Sequence, residues 1–93
     1  MRAGVRTKSG PVTVIRLATD LDHPRLGIVA GRRLGGAVTR NRVKRRIRAA
    51  ATEANLDPGS DYVIVPTSAA ATVAFVDLVA AIMAAARPDG RQM

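Results

Sequence analysis

The fold is organised around residues 32–48, which read RRLGGAVTRNRVKRRIR. This stretch holds eight of the fifteen Lys and Arg residues of the 93-residue chain, and it contains no Asp or Glu. The remaining seven basic residues face seven acidic ones, so the formal net charge of +8 comes from this stretch alone. A positive charge concentrated in so short a segment predicts a polyanionic partner.

The apolar residues of this region predict a helix. Gly35 and Gly36 mark a turn, because glycine adopts backbone angles that other residues avoid. A helix should begin just after them, with Thr39 or Asn41 as the candidate N-cap. The apolar positions recur at helical spacing and form one stripe of mostly small residues, which consists of Val43, Ile47, Ala50, Ala51 and Ala54.

The basic residues cover the remaining surface of this helix, and Arg40, Lys44 and Arg48 share one edge at intervals of four. Arginine carries a permanent charge and a planar fork of donors that matches two phosphate oxygens. Like charges four residues apart repel each other, and Glu53 is the only acidic residue of the predicted helix. A merely solubilising face normally mixes both signs of charge. The pattern therefore favours phosphate binding.

The flanking segments predict a small α+β domain that comprises residues 1–93. Strands are predicted at residues 11–18 and at 25–31, and the second of these is expected to be antiparallel to the first. A further strand at 61–65 should be buried on both faces. Residues 5–8 form either a brief strand or a loose segment. A strand, the basic helix and the strand at 61–65 form a unit that implies a parallel pair.

A second helix is predicted near the C-terminal end of the chain. Thr72 is its candidate N-cap, and Pro88 and Gly90 should terminate it. Its expected buried stripe, with Phe75 and Met83 in the core, consists of Phe75, Val76, Val79, Ile82, Met83 and Ala86.

Catalytic and metal-binding groups are sparse. The chain has no cysteine and one histidine, His23, so no nucleophile with a matching base is visible. Asp20, Asp22 and His23 could hold a divalent ion, although a solvated loop is the simpler interpretation. Tyr62 could stack on a base, but packing in the core or at a sheet edge is the preferred interpretation. There is no apolar run of transmembrane length, so we expect no membrane partner and a cytoplasmic location.

Three segments together resemble a known family. Residues 35–48 place Arg-Asn-Arg, Lys-Arg and a further Arg at the start of a helix after a glycine turn. Residues 25–35, RLGIVAGRRLG, end a strand with two basic residues and a glycine, and residues 59–66, GSDYVIVP, supply the next strand. In these motifs the chain resembles the protein component of bacterial ribonuclease P, over roughly residues 4–87.

The resemblance implies a two-layer α+β sandwich with a mostly antiparallel central sheet. The elements would follow in the order βββαβα or ββαβα, with a left-handed β-α-β crossover similar to that of domain 2 of ribosomal protein S5. Without the resemblance, a right-handed crossover would be expected.

The resemblance also implies a non-catalytic subunit of the ribonucleoprotein endonuclease that removes the 5′ leader from precursor tRNA. The protein would be a cytoplasmic monomer in a 1:1 complex with the catalytic RNA. The chemistry would belong to that RNA and to Mg²⁺ held by it, with no cofactor or metal on the protein. Carried over by position, the RNA-binding residues would be Arg32, Arg33, Arg40, Asn41, Arg42, Lys44, Arg45, Arg46 and Arg48. Asn41 could serve a ribose hydroxyl or a backbone group.

Two features depart from the usual pattern of the family. Its members usually begin with an additional helix, and we expect that helix to be missing here. The strand that faces the leader cleft usually carries aromatic residues, whereas residues 12–16 read VTVIR.

Three other functions stay open on the residues alone. The first is a structural RNA-binding protein that resembles a ribosomal component. The second is a DNA-binding module, which fits less well because a helix basic around so much of its surface reads phosphates more than base edges. The third is an amphipathic helix on a membrane surface, which a stripe made mostly of alanine supports poorly.

Overall fold

The computed structural model describes residues 5–19, 25–57 and 59–86. The helices and strands are β1 (Val5–Ser9), β2 (Val12–Ala18), β3 (Arg25–Ile28), α1 (Ala37–Ala54), β4 (Ser60–Pro66) and α2 (Phe75–Ala85). Two short 3₁₀ helices precede α1 and α2, at Arg32–Leu34 and Ser68–Ala71. The order βββαβα is the longer of the two predicted orders, because residues 5–9 form a regular strand.

The strands form one four-stranded sheet in the order β1-β2-β4-β3. The β1–β2 and β2–β4 pairs are antiparallel and the β3–β4 pair is parallel, as predicted for a mostly antiparallel sheet. β3 runs opposite to β2 but does not pair with it, because β4 is inserted between the two after the chain has passed through α1. The handedness of this crossover stays a prediction.

One face of the sheet is covered by the two helices. Along β4 the buried residues Ser60, Tyr62, Ile64 and Pro66 alternate with half-exposed ones. The prediction that this strand is buried on both faces is therefore wrong, since among the described residues helices pack on one side only. Tyr62 is 1% exposed, and its hydroxyl accepts a hydrogen bond from the Asp57 amide at 3.1 Å, which confirms its packing role.

The core lies between this sheet face and the helices. Its larger members are Val12, Val14, Val43, Ile47, Tyr62, Ile64, Leu78 and Ile82. The whole predicted stripe of α1 is buried. Because three of its five members are alanines, α1 can approach the neighbouring elements closely.

The buried face of α2 differs from the predicted stripe. Leu78, Ala81, Ile82 and Ala85 are buried, whereas three predicted members are largely exposed: Phe75 (40%), Val76 (71%) and Met83 (50%). Ile82 and Ala86 are confirmed as buried, and Val79 packs partly against the core. Asp77 is the only polar residue of α2, so hydrophobic periodicity could not identify the face that packing selects.

The helix starts also differ from those predicted. The N-cap of α1 is Gly36, before Thr39 and Asn41, because the chain enters the helix directly from the glycine turn. The N-cap of α2 is Ala74, and Thr72 instead ends the preceding 3₁₀ helix. The predicted stop at Pro88 and Gly90 lies outside the described residues, as do Asp20, Asp22 and His23.

Replacing Gly35 with alanine should lower the free energy of unfolding by about 1–3 kcal/mol. Gly35 has φ +123°, and a Cβ there would lie 3.3 Å from the Thr39 Cβ. Urea denaturation of Gly35→Ala measures the loss. Gly36→Ser is the matched control: φ is −73° there, a Cβ meets nothing within 4 Å, and serine is a good N-cap. Equal stability of Gly35→Ala and the unmodified protein would contradict the backbone argument.

Candidate nucleic-acid interface

The basic residues of α1, together with Asn41, occupy three arcs around the helix, as a period of 3.6 residues per turn requires. The crest, Asn41 and Arg45, lies opposite the buried stripe and is exposed. The sheet-edge flank, Arg40, Lys44 and Arg48, lies on the side of β3, where Arg48 shares a groove with Leu26. The α2 flank, Arg42 and Arg46, faces the second 3₁₀ helix.

The α2 flank is held by backbone carbonyls. Arg46 donates from Nη1 to the Ala70 carbonyl at 2.8 Å and from Nη2 to the Val73 carbonyl. Arg42 donates from Nε to the Ala71 carbonyl at 3.0 Å. The last carbonyls of a helix lack partners within it, and cations are favourable there. These two arginines therefore satisfy the end of the second 3₁₀ helix and tie it to α1.

The basic cluster is not neutralised by any carboxylate among the described residues. Within residues 5–19, 25–57 and 59–86, no carboxylate forms an ion pair with a cation of α1, and the ion pair that is present joins Arg25 to Asp61. Arg25 Nη2 lies 2.6 Å from Asp61 Oδ2, and Nε donates to the same carboxylate. The hydrogen bonds to Asp61, and then its charge, raise the pKa of Arg25. This pair lies on β3 and β4, outside the cluster.

Arg32 and Arg33 extend the basic surface beyond the start of α1. Both lie exposed on the first 3₁₀ helix, which Leu34 anchors in the core. The N-terminal end of α1 has no side-chain cap and no acidic residue in its first turn. Its backbone amides and the helix dipole therefore add to the positive potential at this end.

The sheet face opposite the helices holds residues that were absent from the predicted site, although the strand at residues 12–16 was expected to face the leader cleft. Here Thr13, Ile15, Leu17, Val63 and Val65 are half-exposed, and we call these five residues the open sheet face. Arg6 pairs with Ile15 and Lys8 with Thr13 across the β1–β2 ladder, so both cations lie beside it. The alternation along β2 was visible in the sequence, but which alternate set faces the helices was not.

Within the described ranges, no group of three or more His, Asp or Glu residues is placed to hold a metal ion. No helix there is both long enough and apolar enough to cross a bilayer.

Comparison with known proteins gives a consistent result. A family model described as Ribonuclease P matches residues 1–87. The ribonuclease P protein component of Acidothermus cellulolyticus is 37% identical over 84 residues, which cover 86% of this chain and 70% of the relative. The component of Dehalococcoides mccartyi is 37% identical over 68 residues, which cover 72% of this chain. This match spans 57% of the relative's length.

Solved structures show the same fold. The ribonuclease P protein of Thermotoga maritima superposes with a TM-score of 0.74 at 26% identity, over 86% of this chain and 78% of that one. The Staphylococcus aureus protein gives 0.70 at 25% identity, over 85% and 74% of the two chains. With the α+β architecture and the Arg-rich helix, these matches show that the chain belongs to the ribonuclease P protein family.

Proposed function

We propose that this protein is the RNA-binding subunit of a ribonuclease P ribonucleoprotein, in which it binds the catalytic RNA and precursor tRNA and supports endonucleolytic removal of the 5′ leader. Given that the chain belongs to this family, one observation supports the proposal most directly: within the described residues, the α1 cations have no carboxylate partners. Helix α1 is thus left with a charge that a folded RNA would neutralise.

The catalytic RNA would be bound by the crest and the sheet-edge flank of α1, together with Arg32 and Arg33. Apart from Asn41, these residues are cations, which suits contacts that position a phosphate backbone. Asn41 can donate to and accept from a ribose 2′-hydroxyl. We assign Arg46 to bracing the fold, whereas Arg42 uses Nε for the brace and keeps its terminal nitrogens for phosphate.

The open sheet face would take the 5′ leader as a single strand. Its aliphatic surface can pack against sugars and bases, and Arg6 and Lys8 would contact phosphates beside it. Aromatic stacking contributes about 1–3 kcal/mol per base in single-strand binding, and the open sheet face has none. We therefore propose that leader affinity depends on charge more than on stacking.

The bond cleavage itself would be carried out by the RNA subunit with Mg²⁺ held by that RNA. The protein's contribution would be electrostatic: its cations offset the repulsion between two RNA molecules, and less Mg²⁺ is then needed. We propose a monomer in a 1:1 complex, located in the cytoplasm.

The direct test adds the protein to a bacterial ribonuclease P RNA at low Mg²⁺ and measures cleavage of precursor tRNA. The protein should raise the cleavage rate and generate the mature 5′ end. Polylysine of matched charge is the control for non-specific neutralisation, and ribosomal RNA serves as the competitor. Two results would contradict the proposed function. One is a stimulation no greater than that by polylysine, and the other is competition by ribosomal RNA as strong as that by ribonuclease P RNA itself.

A further inference from the structure

We propose that a groove between the C-terminal half of α1 and strand β3 binds an unpaired nucleobase of the bound RNA. This inference rests on the proposed function, because it takes RNA as the ligand. It adds a base-binding site to a surface that otherwise contacts only phosphates and sugars.

The groove has an apolar interior and a polar rim. It has a volume of about 330 Å³ and is lined by Leu26, Arg48, Ala51, Thr52, Asn55 and Leu56. The apolar members are the least exposed, with Ala51 buried and the two leucines half-buried, and the three polar members are exposed. A planar base inserted here would place its faces against aliphatic carbon and its edges near hydrogen-bonding groups.

Charge leads an RNA strand to this groove. Arg48 lines it and is also the last cation of the sheet-edge flank, whose members follow one another at about 6 Å along the helix. None of the described residues that line the groove is a carboxylate, and Glu53 lies on the other side of α1, next to the α2 flank. A guanidinium plane can stack on an unpaired base as well as hold a phosphate. Arg48 is therefore placed to contact both parts of one nucleotide.

Asn55 supplies an amide that can read the edge of the base. It is the C-cap of α1, with φ 57° and ψ 63°, and its backbone amide donates a hydrogen bond to the Thr52 carbonyl. Its side chain forms no hydrogen bond with the described residues. One donor and one acceptor side by side match the N6 and N7 atoms of adenine, so we infer a preference for adenine.

The edge of β3 offers further polar groups. The Val29 amide donates to the Ile64 carbonyl of β4, and alternate residues of a strand point their backbone groups in opposite directions. The amide and carbonyl of Leu26 therefore point away from β4, along the outer edge of the sheet.

The test compares ten-nucleotide RNAs bound to the full chain: oligoadenylate, oligouridylate and an abasic ribose-phosphate strand of equal charge. Oligoadenylate should bind about 10-fold more tightly than the abasic strand. In Asn55→Gly, which keeps the left-handed cap but removes the amide, the preference for adenine over uracil should disappear while the free energy of unfolding is unchanged. In ¹⁵N-labelled protein, adenosine 5′-monophosphate should shift the Asn55 side-chain resonances, and ribose 5-phosphate should not.

The outcomes separate the two proposals. Equal affinity for oligoadenylate and the abasic strand would overturn the base site, and RNA binding would still stand. An adenine preference that Asn55→Gly leaves intact would overturn the role of the amide. Failure to bind any of the strands or a ribonuclease P RNA would overturn the proposed function as well.

Discussion

Reversing the charge of Arg45 and Arg48 together should weaken binding to a bacterial ribonuclease P RNA about 100-fold and leave the protein folded. Both side chains are exposed and form no hydrogen bond or ion pair with the described residues. Their glutamate replacements would remove two cations that contact phosphate and place two anions beside it. Nothing in the described packing depends on either guanidinium, so the circular-dichroism spectrum should be unchanged.

Filter binding over a range of salt concentrations measures this effect. Each phosphate contact releases condensed counterions, so losing two contacts should reduce the magnitude of the slope of log K against log salt by about 2. Arg6→Glu with Lys8→Glu is the matched control, since it changes the net charge equally but lies beside the open sheet face. This control should bind the catalytic RNA nearly as well as the unmodified protein. An equal loss in both double variants would show that net charge alone governs binding.

Replacing Arg46 with leucine should lower the free energy of unfolding by about 2–3 kcal/mol. The substitution leaves the Ala70 and Val73 carbonyls without their donor, and Ala70 is fully buried. A buried carbonyl that loses its partner costs about 1–3 kcal/mol. That loss is large against the total stability of 5–15 kcal/mol typical of natural domains. Urea denaturation followed by circular dichroism measures it.

Arg45→Leu is the matched control, because it makes the same substitution at the adjacent position and also removes one guanidinium group. It should leave stability nearly unchanged and weaken RNA binding, whereas Arg46→Leu should retain most of its RNA affinity under conditions where it is folded. If Arg46→Leu has the same free energy of unfolding as the unmodified protein but a lower RNA affinity, Arg46 contacts RNA and does not brace the second 3₁₀ helix.

These two neighbouring arginines show where sequence reasoning reaches its limit. Arg45 and Arg46 are identical in type and belong to one basic run, so no pattern separates them. Their helical positions differ by about 100°, and only the position of the second 3₁₀ helix, more than 20 residues later in the chain, gives Arg46 its carbonyl partners. The basic cluster was predictable from the sequence, but which of its arginines is free to contact RNA and which braces the fold was not.

The amino-acid sequence by itself determined α1, its buried stripe and the parallel pairing of β3 with β4. In α1 the apolar residues are few and regularly spaced among charged ones, so only one face could be buried. The tertiary structure alone decided which side of α2 packs and that β4 is covered on one face. Apart from Asp77 in α2 and Ser60 and Asp61 in β4, both segments consist of apolar residues, so hydrophobicity cannot distinguish a buried side from an exposed one. Only the geometry of the neighbouring elements makes that choice.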